Sequence, residues 1–547
     1  MIEKLPDDLR PEKYSSLAQV IEYIATEHAQ LPAFSCFGRT LRYQDVDELS
    51  SRFAHYLQNQ TTLVPGDRIA IQLPNLLQFP VVFYGAVKAG LIVVNTNPLY
   101  TATEMAHQFK DSGVKAIVIL ANFCAKLEQI IVDTDIETVI VTQLGDLQKP
   151  GKRLLLNLGA KYLKKMVPQY SLPASVDFNI AIKSPTSYNK DTAHGAGDDV
   201  ALILYTGGTT GAAKGAMLSH NNLIANMMQL RARCLLVIED RVENIVAPLP
   251  LYHSYAFLLH CLVMPYAGNH NILITNPRDL DSLVGLLRKT VVTGIVAINT
   301  LYLALLRHPD IAAVDFSKLK FSGAGGMAMT TSVAEEWERV TACEITEGYG
   351  LTECSPVVAV NIPGAVRLGT VGPVVPETEI RIVDDEGLDV PRGEKGELWV
   401  RGPQVMLGYW QQQQATAETI TADGWLKTGD YVQVHADDYL SIVDRKKDMI
   451  LVSGFNVFPN EIEDWVSRHP DVLECAAIGV ANERTGESVK LFVVPRGAEI
   501  AEQELIAHCK QGLTAYKIPR EIVFVADLPK SNIGKILRRE LREMLDT

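Results

Sequence analysis

The chain has 547 residues and a formal net charge of −13, from 51 Lys and Arg against 64 Asp and Glu. This length exceeds the size at which one hydrophobic core keeps growing, so we expect two or more domains. A general nucleic-acid-binding protein is disfavoured, because phosphate neutralisation needs a surplus of Lys and Arg. The eight cysteines show no CxxC spacing, which favours buried free thiols in a reducing compartment over a zinc site.

Short apolar runs alternate with helical patterns through the first two-thirds of the chain, which predicts βαβ units and largely parallel sheets. The predicted strands include 68–73, 115–120, 138–142, 200–205 and 294–298. The predicted helices include 16–28, 43–58, 103–112 and 221–235. From about Val371 short strands with turn signals predict a small β-rich lobe, and the last hundred residues return to a mixed α/β pattern.

The sequence predicts a cytoplasmic protein. Its N-terminus carries acidic residues and prolines and lacks the apolar stretch of a signal peptide. The long uncharged run 244–277 is divided by Pro248, Pro250 and Pro265, so a buried core segment is a better interpretation than a membrane span.

Residues 152–170 place five basic side chains among leucines at roughly helical spacing, in an otherwise acidic protein. One interpretation is an ordinary amphipathic surface helix with its apolar side buried. The other is an interfacial helix that contacts the anionic inner face of the cytoplasmic membrane. The sequence leaves both open.

A turn rich in glycine and threonine, Tyr205–Gly215, follows an apolar run and precedes a predicted helix. Small residues let backbone N–H groups approach phosphate oxygens closely, and the threonine hydroxyls add donors. Lys214 supplies a positive charge at the rim. The pattern lacks GxxxxGK followed by Ser or Thr, so it is not a Walker A loop.

Four further motifs follow in order. Thr346–Glu353 offers an aromatic ring, hydroxyls and a carboxylate, which suit adenine, phosphate and Mg²⁺. Asp423–Asp430 ends on an acidic residue that could bind two ribose hydroxyls, and 444–448 (DRKKD) adds a guanidinium. Pro529–Lys535 presents a lysine on a glycine turn. Each alone could be a solvated turn, but the ordered set indicates a nucleotide site.

These residues resemble the adenylate-forming acyl-CoA synthetases, close to bacterial long-chain fatty acid–CoA ligases, over nearly the whole chain. The resemblance implies an α/β fold: a large N-terminal domain of mostly parallel sheets flanked by helices, with a small β lobe, and a small mobile α/β C-terminal domain. We expect the N-terminal ATP- and fatty-acid-binding domain at 1–445 and the C-terminal domain, carrying the catalytic lysine, at 446–547.

The resemblance also implies roles for individual residues. Lys535, His253 and Thr352 are the expected catalytic residues: Lys535 neutralises charge on the α-phosphate, His253 flanks the acyl carboxylate, and Thr352 contacts the α-phosphate. Glu353 is the expected Mg²⁺ ligand. The remaining expected ATP and AMP contacts are Thr206, Gly207, Gly208, Thr209, Thr210, Gly211, Lys214, Ala324, Gly325, Gly348, Tyr349, Asp430 and Arg445.

Coenzyme A is expected to contact Ser453, Gly454 and Phe455 after the C-terminal domain rotates about a hinge at Lys447. A plain β-turn is the alternative interpretation of Gly454. Candidate walls of the acyl tunnel lie around 252–257, 297–303 and 323–327. A lone histidine in an apolar run is usually a core residue, so the role of His253 depends on its motif.

The expected activity is ATP-dependent conversion of a fatty acid to acyl-AMP and pyrophosphate, then thioester formation with CoA. The expected partners are therefore fatty acid, ATP, CoA and Mg²⁺. Two rivals stay open: transfer to a carrier protein or arrest at acyl-AMP, and a non-enzymatic lipid-uptake or scaffold protein. Long-chain acids are the first expectation and medium-chain acids the second. The sequence does not decide between a monomer and a homodimer.

Overall fold

Two eight-stranded sheets build the first two-thirds of the protein, followed by a four-stranded antiparallel sheet and a five-stranded sheet near the C-terminus. This architecture is seen in a computed structural model, which describes residues 4–193, 197–206, 213–497, 500–531 and 534–544.

The strands and helices up to Cys234 follow in chain order: α1 (Leu17–Glu27), β1 (Pro32–Cys36), β2 (Arg39–Arg42), α2 (Tyr43–Asn59), β3 (Arg68–Gln72), α3 (Gln78–Lys88), β4 (Ile92–Asn95), α4 (Ala102–Ser112), β5 (Val114–Leu120), α5 (Cys124–Glu128), β6 (Thr138–Thr142), α6 (Pro150–Leu158), β7 (Val176–Asp177), α7 (Phe178–Ala181), β8 (Val200–Thr206), β9 (Lys214–Ser219) and α8 (His220–Cys234).

The middle of the chain continues with β10 (Asn244–Ala247), α9 (Ser254–Phe257), α10 (Met264–Tyr266), β11 (His270–Leu273), α11 (Leu280–Leu287), β12 (Gly294–Ala297), α12 (Asn299–Arg307), β13 (Phe321–Ala324), α13 (Thr331–Thr341), β14 (Ile345–Gly350) and β15 (Val357–Val360). The segment from Glu379 to Arg445 contains β16 (Glu379–Val383), β17 (Lys395–Arg401), β18 (Gly408–Tyr409), α14 (Gln413–Thr419), β19 (Leu426–Val434) and β20 (Leu440–Arg445). The C-terminal part contains β21 (Ile450–Val452), β22 (Phe455–Val457), α15 (Pro459–Val466), β23 (Val472–Asn482), β24 (Gly486–Pro495), α16 (Glu502–Gly512), β25 (Glu521–Phe524) and α17 (Arg538–Glu543).

The two large sheets are mostly parallel, as the alternation predicted. In one, β8, β4, β3, β5, β6 and β7 run parallel, and β9 and β18 close the edge in antiparallel fashion. In the other, β14, β13, β12, β10, β11 and β1 run parallel between antiparallel edge strands β15 and β2. The β lobe, formed by β16, β17, β19 and β20, is antiparallel, as the turn signals predicted.

Helix α3 shows where the core sits. All eleven of its residues are buried, which explains why its sequence has no polar stripe. Gln78 at its start bonds Gln143 beyond β6, while Phe83 packs edge-on against Phe257 at 4.7 Å between ring centroids. The helix therefore contributes to one core that is shared by elements packed around both large sheets.

Most predicted elements are present within a residue or two, but segment 152–170 differs. Helix α6 continues as a π-helical turn over Gly159–Leu163, and no helix follows in 164–170. The backbone turns left-handed at Lys165 (φ 50°) and Pro168 follows, which ends the helix. The eight cysteines are buried free thiols, as expected. Among the described residues no helix is both long and apolar enough to span a bilayer.

Candidate active site

The motifs around His253, Ala324 and Thr352 lie at one edge of the large sheet that contains β10, β12, β13 and β14. Strands β12, β13 and β14 are parallel neighbours and end at Ala297, Ala324 and Gly350. The segments that follow them carry the motif residues. Carboxyl ends of parallel strands form the usual ligand crevice of an open α/β sheet, so this edge is the candidate active site.

A small pocket at this edge brings together four segments that are distant in sequence. It is lined by Leu249, Pro250, His253, Tyr255, Ile298, Gly325, Gly326, Met327 and Lys535. Each predicted acyl wall contributes a residue to it, and Lys535 arrives from near the C-terminus. The free space is about 10 Å³, so a longer acyl chain enters only when lining side chains such as Met327 move aside.

Lys535 is the cationic group of this pocket. Ser531 and Lys535 exchange two hydrogen bonds, Ser531 N to Lys535 O at 2.7 Å and Lys535 N to Ser531 Oγ at 3.1 Å, which fix the turn that presents the lysine. Its enclosed position and then the positive charge of Arg445 lower the pKa of Lys535 to about 7. A bound anion would favour the charged form, so this position of the ammonium group suits a negatively charged ligand.

His253 shares the pocket with Lys535. Burial and then the charge of Lys535 lower the pKa of His253 to about 4. The imidazole is therefore neutral near pH 7 and does not repel Lys535. A neutral ring offers one donor and one acceptor, which suits a contact with a carboxylate or a phosphate oxygen.

Asp430 lies at the centre of a hydrogen-bonded group. The Tyr349 hydroxyl donates to its Oδ2 at 2.6 Å, and Arg445, directly opposite on β20, places Nε 3.6 Å from its Oδ1. Burial raises the pKa of Tyr349 well above its usual value, so the phenol stays a donor. An aromatic ring thus stands next to a carboxylate, an arrangement suited to the base and ribose of an adenosine.

Gly325 and Gly348 place no side chain on the neighbouring wall of the site, so backbone atoms form its surface. A Cβ added to Gly325 would lie 3.3 Å from the carbonyl of Gly348 and 3.2 Å from the Tyr255 ring. Ala324 pairs with Glu347 across β13 and β14, so Ala324, Gly325 and Gly348 line adjacent positions. This is a flat backbone surface of the kind a planar base needs.

Thr352 and Glu353 follow the same strand. The Thr352 and Ser254 hydroxyls are 3.4 Å apart, which links this motif to the residue after His253. Glu353 Oε1 accepts a hydrogen bond from Tyr409 at 2.8 Å, and the Lys214 ammonium lies over the Tyr409 ring, 5.1 Å from its centroid. Tyr409 therefore joins the expected metal ligand to the rim of the phosphate loop.

The donor set at Glu353 fits a hard divalent cation. Burial is the main cause that raises the pKa of this carboxyl group, and a cation would offset the cost of keeping it ionised. Carboxylate and hydroxyl oxygens are the ligands that Mg²⁺ accepts beside phosphate oxygens.

The expected phosphate loop is described only at its ends. Thr206 and Lys214 pair across the β8–β9 hairpin. Gly207, Gly208, Thr209, Thr210 and Gly211 lie outside the described residues.

The expected CoA contacts lie on the C-terminal sheet. Ser453 (φ 53°) and Gly454 (φ 83°) form the two-residue turn between β21 and β22, so a tight hairpin accounts for the glycine. Phe455 is exposed and stacks on Tyr516 with ring centroids 4.7 Å apart. A cleft of about 210 Å³ beside them is lined by Ser453, Tyr516, Arg520 and neighbouring residues. In the described part of the chain, the hydrogen bonds and ring contacts of Ser453, Phe455 and Tyr516 stay within the C-terminal part.

Lys447, the expected hinge, is exposed and lies in a short helical turn over Lys446–Asp448. Partial desolvation by the surrounding groups and then the charge of Arg445 lower its pKa. Contacts cross the expected boundary beside it: Asp444 Oδ2 accepts from Asn460 N at 2.8 Å, and Arg538 lies 3.6 Å from Asp444. A rotation at Lys447 would have to break these contacts.

Sequence reasoning did not single out Tyr409, Ser254 or Glu347. Burial raises the pKa of Glu347 to about 8, and its Oε1 accepts a hydrogen bond from Met329 N at 3.1 Å. Glu347 and Ser254 stand inside quoted motifs, so their position was a signal. Tyr409 had none, because its contact with Glu353 exists only after β18 pairs with β9.

The comparisons with known proteins define the class. Residues 21–410 match the model of the AMP-binding enzyme family, and residues 461–535 match the AMP-binding enzyme C-terminal domain. The chain belongs to the AMP-binding enzyme family.

Its relatives and structural neighbours are more particular. It is 47% identical to a long-chain-fatty-acid–CoA ligase of Salmonella typhimurium over 98% of this chain and 96% of that one, and 34% identical to one of Bacillus subtilis over the same shares. Among solved structures, ATP-bound MatB from Rhodopseudomonas palustris superposes with a TM-score of 0.81 at 27% identity, covering 96% of this chain and 98% of that one. The predicted family and fold are thus confirmed.

Proposed function

We propose that this protein is a long-chain fatty acid–CoA ligase that forms an acyl-adenylate from ATP and then a thioester with CoA. The observation that carries this is the meeting of Lys535 with His253 in one apolar pocket beside Tyr349 and Asp430. The identity to long-chain-fatty-acid–CoA ligases over nearly the whole chain supports the substrate class.

In the first step the fatty acid carboxylate attacks the α-phosphorus of ATP, and pyrophosphate leaves. Lys535 stabilises the negative charge that develops between carboxylate and α-phosphate, because its ammonium already stands in a water-poor pocket. Neutral His253 and Thr352 contact the reacting oxygens. Asp430 binds the ribose, and Tyr349 and Arg445 hold the Asp430 carboxylate in place. Thr206 to Lys214 bind the triphosphate.

Glu353 is the residue that would hold Mg²⁺, and the ion would neutralise charge on the phosphates. Tyr409 orients this carboxylate by the hydrogen bond to Oε1. Both residues act on the first half-reaction only.

In the second step the CoA thiolate attacks the acyl carbonyl and AMP leaves. We propose that 446–547 rotates as a domain about Lys447 on 1–445, so that Lys535 withdraws and Ser453, Gly454 and Phe455 approach the acyl-adenylate. The exposed position of Phe455 on the C-terminal sheet supports a role for this surface after rotation.

We also propose that the enzyme works in the cytoplasm at the inner face of the membrane, where long-chain acids dissolve. The acyl preference is proposed to be broad, because each methylene buried contributes only about 0.8 kcal/mol.

The test is to incubate the protein with ATP, Mg²⁺ and acids from acetate to oleate, and to follow AMP with and without CoA. CoA-dependent turnover that peaks at long acids supports the proposal. A peak at medium acids would correct the chain length, whereas AMP release indifferent to CoA would replace the ligase with an acyl-AMP-forming enzyme.

A further inference from the structure

Helix α6 and the turn after it expose apolar side chains that a water-facing helix would bury. Leu154, Leu155, Leu158, Tyr162, Leu163 and Met166 are each between 46% and 82% exposed. We call the outer side of 150–166 that these six residues form the leucine–lysine face. Six of thirteen consecutive residues are thus large exposed apolar side chains, where soluble proteins usually scatter them singly.

The polar side of the same helix faces the protein. Asn157 accepts a hydrogen bond from Gly145 N at 2.8 Å and donates to Asp146 at 3.3 Å, and Arg153 lies 3.4 Å from Asp146. The Asp146 side chain is fully buried. The hydrogen-bonding side of the helix therefore faces the protein and its leucines face outward. This excludes the interpretation as an ordinary amphipathic helix with its apolar side buried.

Within the segment that forms the leucine–lysine face, all charged side chains are basic. Lys149, Lys152, Arg153, Lys161, Lys164 and Lys165 fall between Asp146 and Asp177, and no Asp or Glu occurs between those two residues. This stands against a net charge of −13 for the whole chain. Lys152 also donates to the carbonyl of Phe37, a partly exposed aromatic residue at the tip of the β1–β2 turn. An additional ring thus lies beside the face.

We infer that the leucine–lysine face is the surface by which this protein lies on an anionic lipid bilayer. Apolar side chains at the centre with Lys around them match the acyl and headgroup layers of such a membrane. A second copy of the chain fits less well, because a two-fold interface would set six basic residues against the same six. The choice of a lipid surface rests in part on the proposed function, since a long-chain acid is itself held in the bilayer.

The experiment is sedimentation of the full-length protein with vesicles of phosphatidylcholine alone or with about one-third phosphatidylglycerol. We expect binding to the anionic vesicles, weakened by salt. Two variants change the face: Leu154→Ser/Leu155→Ser/Leu158→Ser and Lys161→Gln/Lys164→Gln/Lys165→Gln. Each should lower vesicle binding by about tenfold or more.

Matched controls change equally exposed residues elsewhere: Val242→Ser/Val291→Ser/Leu388→Ser and Lys289→Gln/Lys318→Gln/Lys510→Gln. They should bind as the unchanged protein does. Turnover of a soluble medium-chain acid without vesicles should be unaltered in all four variants, which shows that they fold and separates this surface from the ligase activity.

Vesicle binding that is absent from the unchanged protein, or unaltered in both face variants, overturns the inference. So does a concentration-dependent dimer that the leucine variant dissociates while vesicle binding persists, because the face would then be covered by a second copy. If the unchanged protein does not turn over the soluble medium-chain acid, that result would instead contradict the proposed function.

Discussion

The pocket around Lys535 and the leucine–lysine face both depart from the usual distribution of polarity, in opposite directions. In the pocket a lysine and a histidine are enclosed by apolar walls, and burial lowers the pKa of Lys535 to about 7 and that of His253 to about 4. On the face leucines are exposed to solvent while Asn157 and Arg153 turn inward. Each departure costs stability in water, and each suits a function that we propose: binding of an anionic ligand in the pocket and of a lipid surface at the leucine–lysine face.

The largest expected effect comes from removing the buried charge. Lys535→Ala should slow acyl-adenylate formation by about 10²–10³-fold, because it removes a preorganised electrostatic contact to the reacting phosphate. Conversion of supplied acyl-AMP and CoA to thioester should change much less. Pyrophosphate exchange and a thioester assay measure the two steps separately.

Lys530→Ala is the matched control for this change, because Lys530 bonds Glu474 and Asp527 outside the pocket. Equal loss in both half-reactions, or equal loss in the control, would contradict the separate role of Lys535.

The pH dependence tests the same group without removing it. Lys535 acts as the cation, which is present below its pKa of about 7 and lost as pH rises through that value. We expect kcat/KM for ATP in pyrophosphate exchange to fall about tenfold per pH unit well above pH 7. His253 stays neutral over this range and adds no step.

Lys535→Arg should flatten that fall at a lower absolute rate, since a guanidinium stays charged. A profile of the unchanged enzyme that is level to pH 9 would show that ligand-free Lys535 keeps its proton.

A smaller effect is expected at Tyr409, which contacts both Glu353 and Lys214 at the rim of the expected phosphate loop. Tyr409→Phe removes the hydrogen bond to Glu353 but keeps the ring beneath Lys214. The Mg²⁺ concentration for half-maximal exchange should rise by about three- to tenfold. Because this bond lowers the pKa of Glu353, the acid limb of the pH profile should move to higher pH.

Tyr431→Phe is the control, since Tyr431 makes a similar hydrogen bond to Asp385 at 2.9 Å. If both variants need the same Mg²⁺ concentration as the unchanged enzyme, Tyr409 has no positioning role.

The smallest effect concerns the helix that carries the leucine–lysine face. A Cβ added to Gly151 meets nothing within 4 Å, and the position is helical. Gly151→Ala should stabilise α6 by about 0.4–1 kcal/mol, through the reduced freedom of the unfolded chain. Hydrogen exchange of α6 amides should slow by about two- to fivefold.

Gly285→Ala in α11, where a Cβ also meets nothing, should leave α6 exchange unchanged. Exchange in α6 that is fast and insensitive to Gly151→Ala would show that the helix does not persist in water and forms only on a partner.

The fold class could be predicted from the amino-acid sequence, because strand and helix periodicities are local. β6 is found where the apolar run 138–142 predicted it, and α2 begins at Tyr43 as expected. The ordered motifs likewise identified the family and the candidate residues, since the proposed catalytic residues Thr352 and Lys535 and the proposed metal ligand Glu353 stand in recognisable local patterns.

Which groups come into contact, and which face of a helix is exposed, could not be read from the sequence and became clear from the packing. Leucine spacing in 154–163 predicted an apolar stripe, but its direction depends on Asp146, which holds Asn157 and Arg153 from the far side. Lys535 and His253 line one pocket although hundreds of residues separate them in sequence. Tyr409 reaches Glu353 only because the strand that carries Tyr409 pairs with a distant strand. Such contacts depend on packing between distant elements, and no local pattern encodes them.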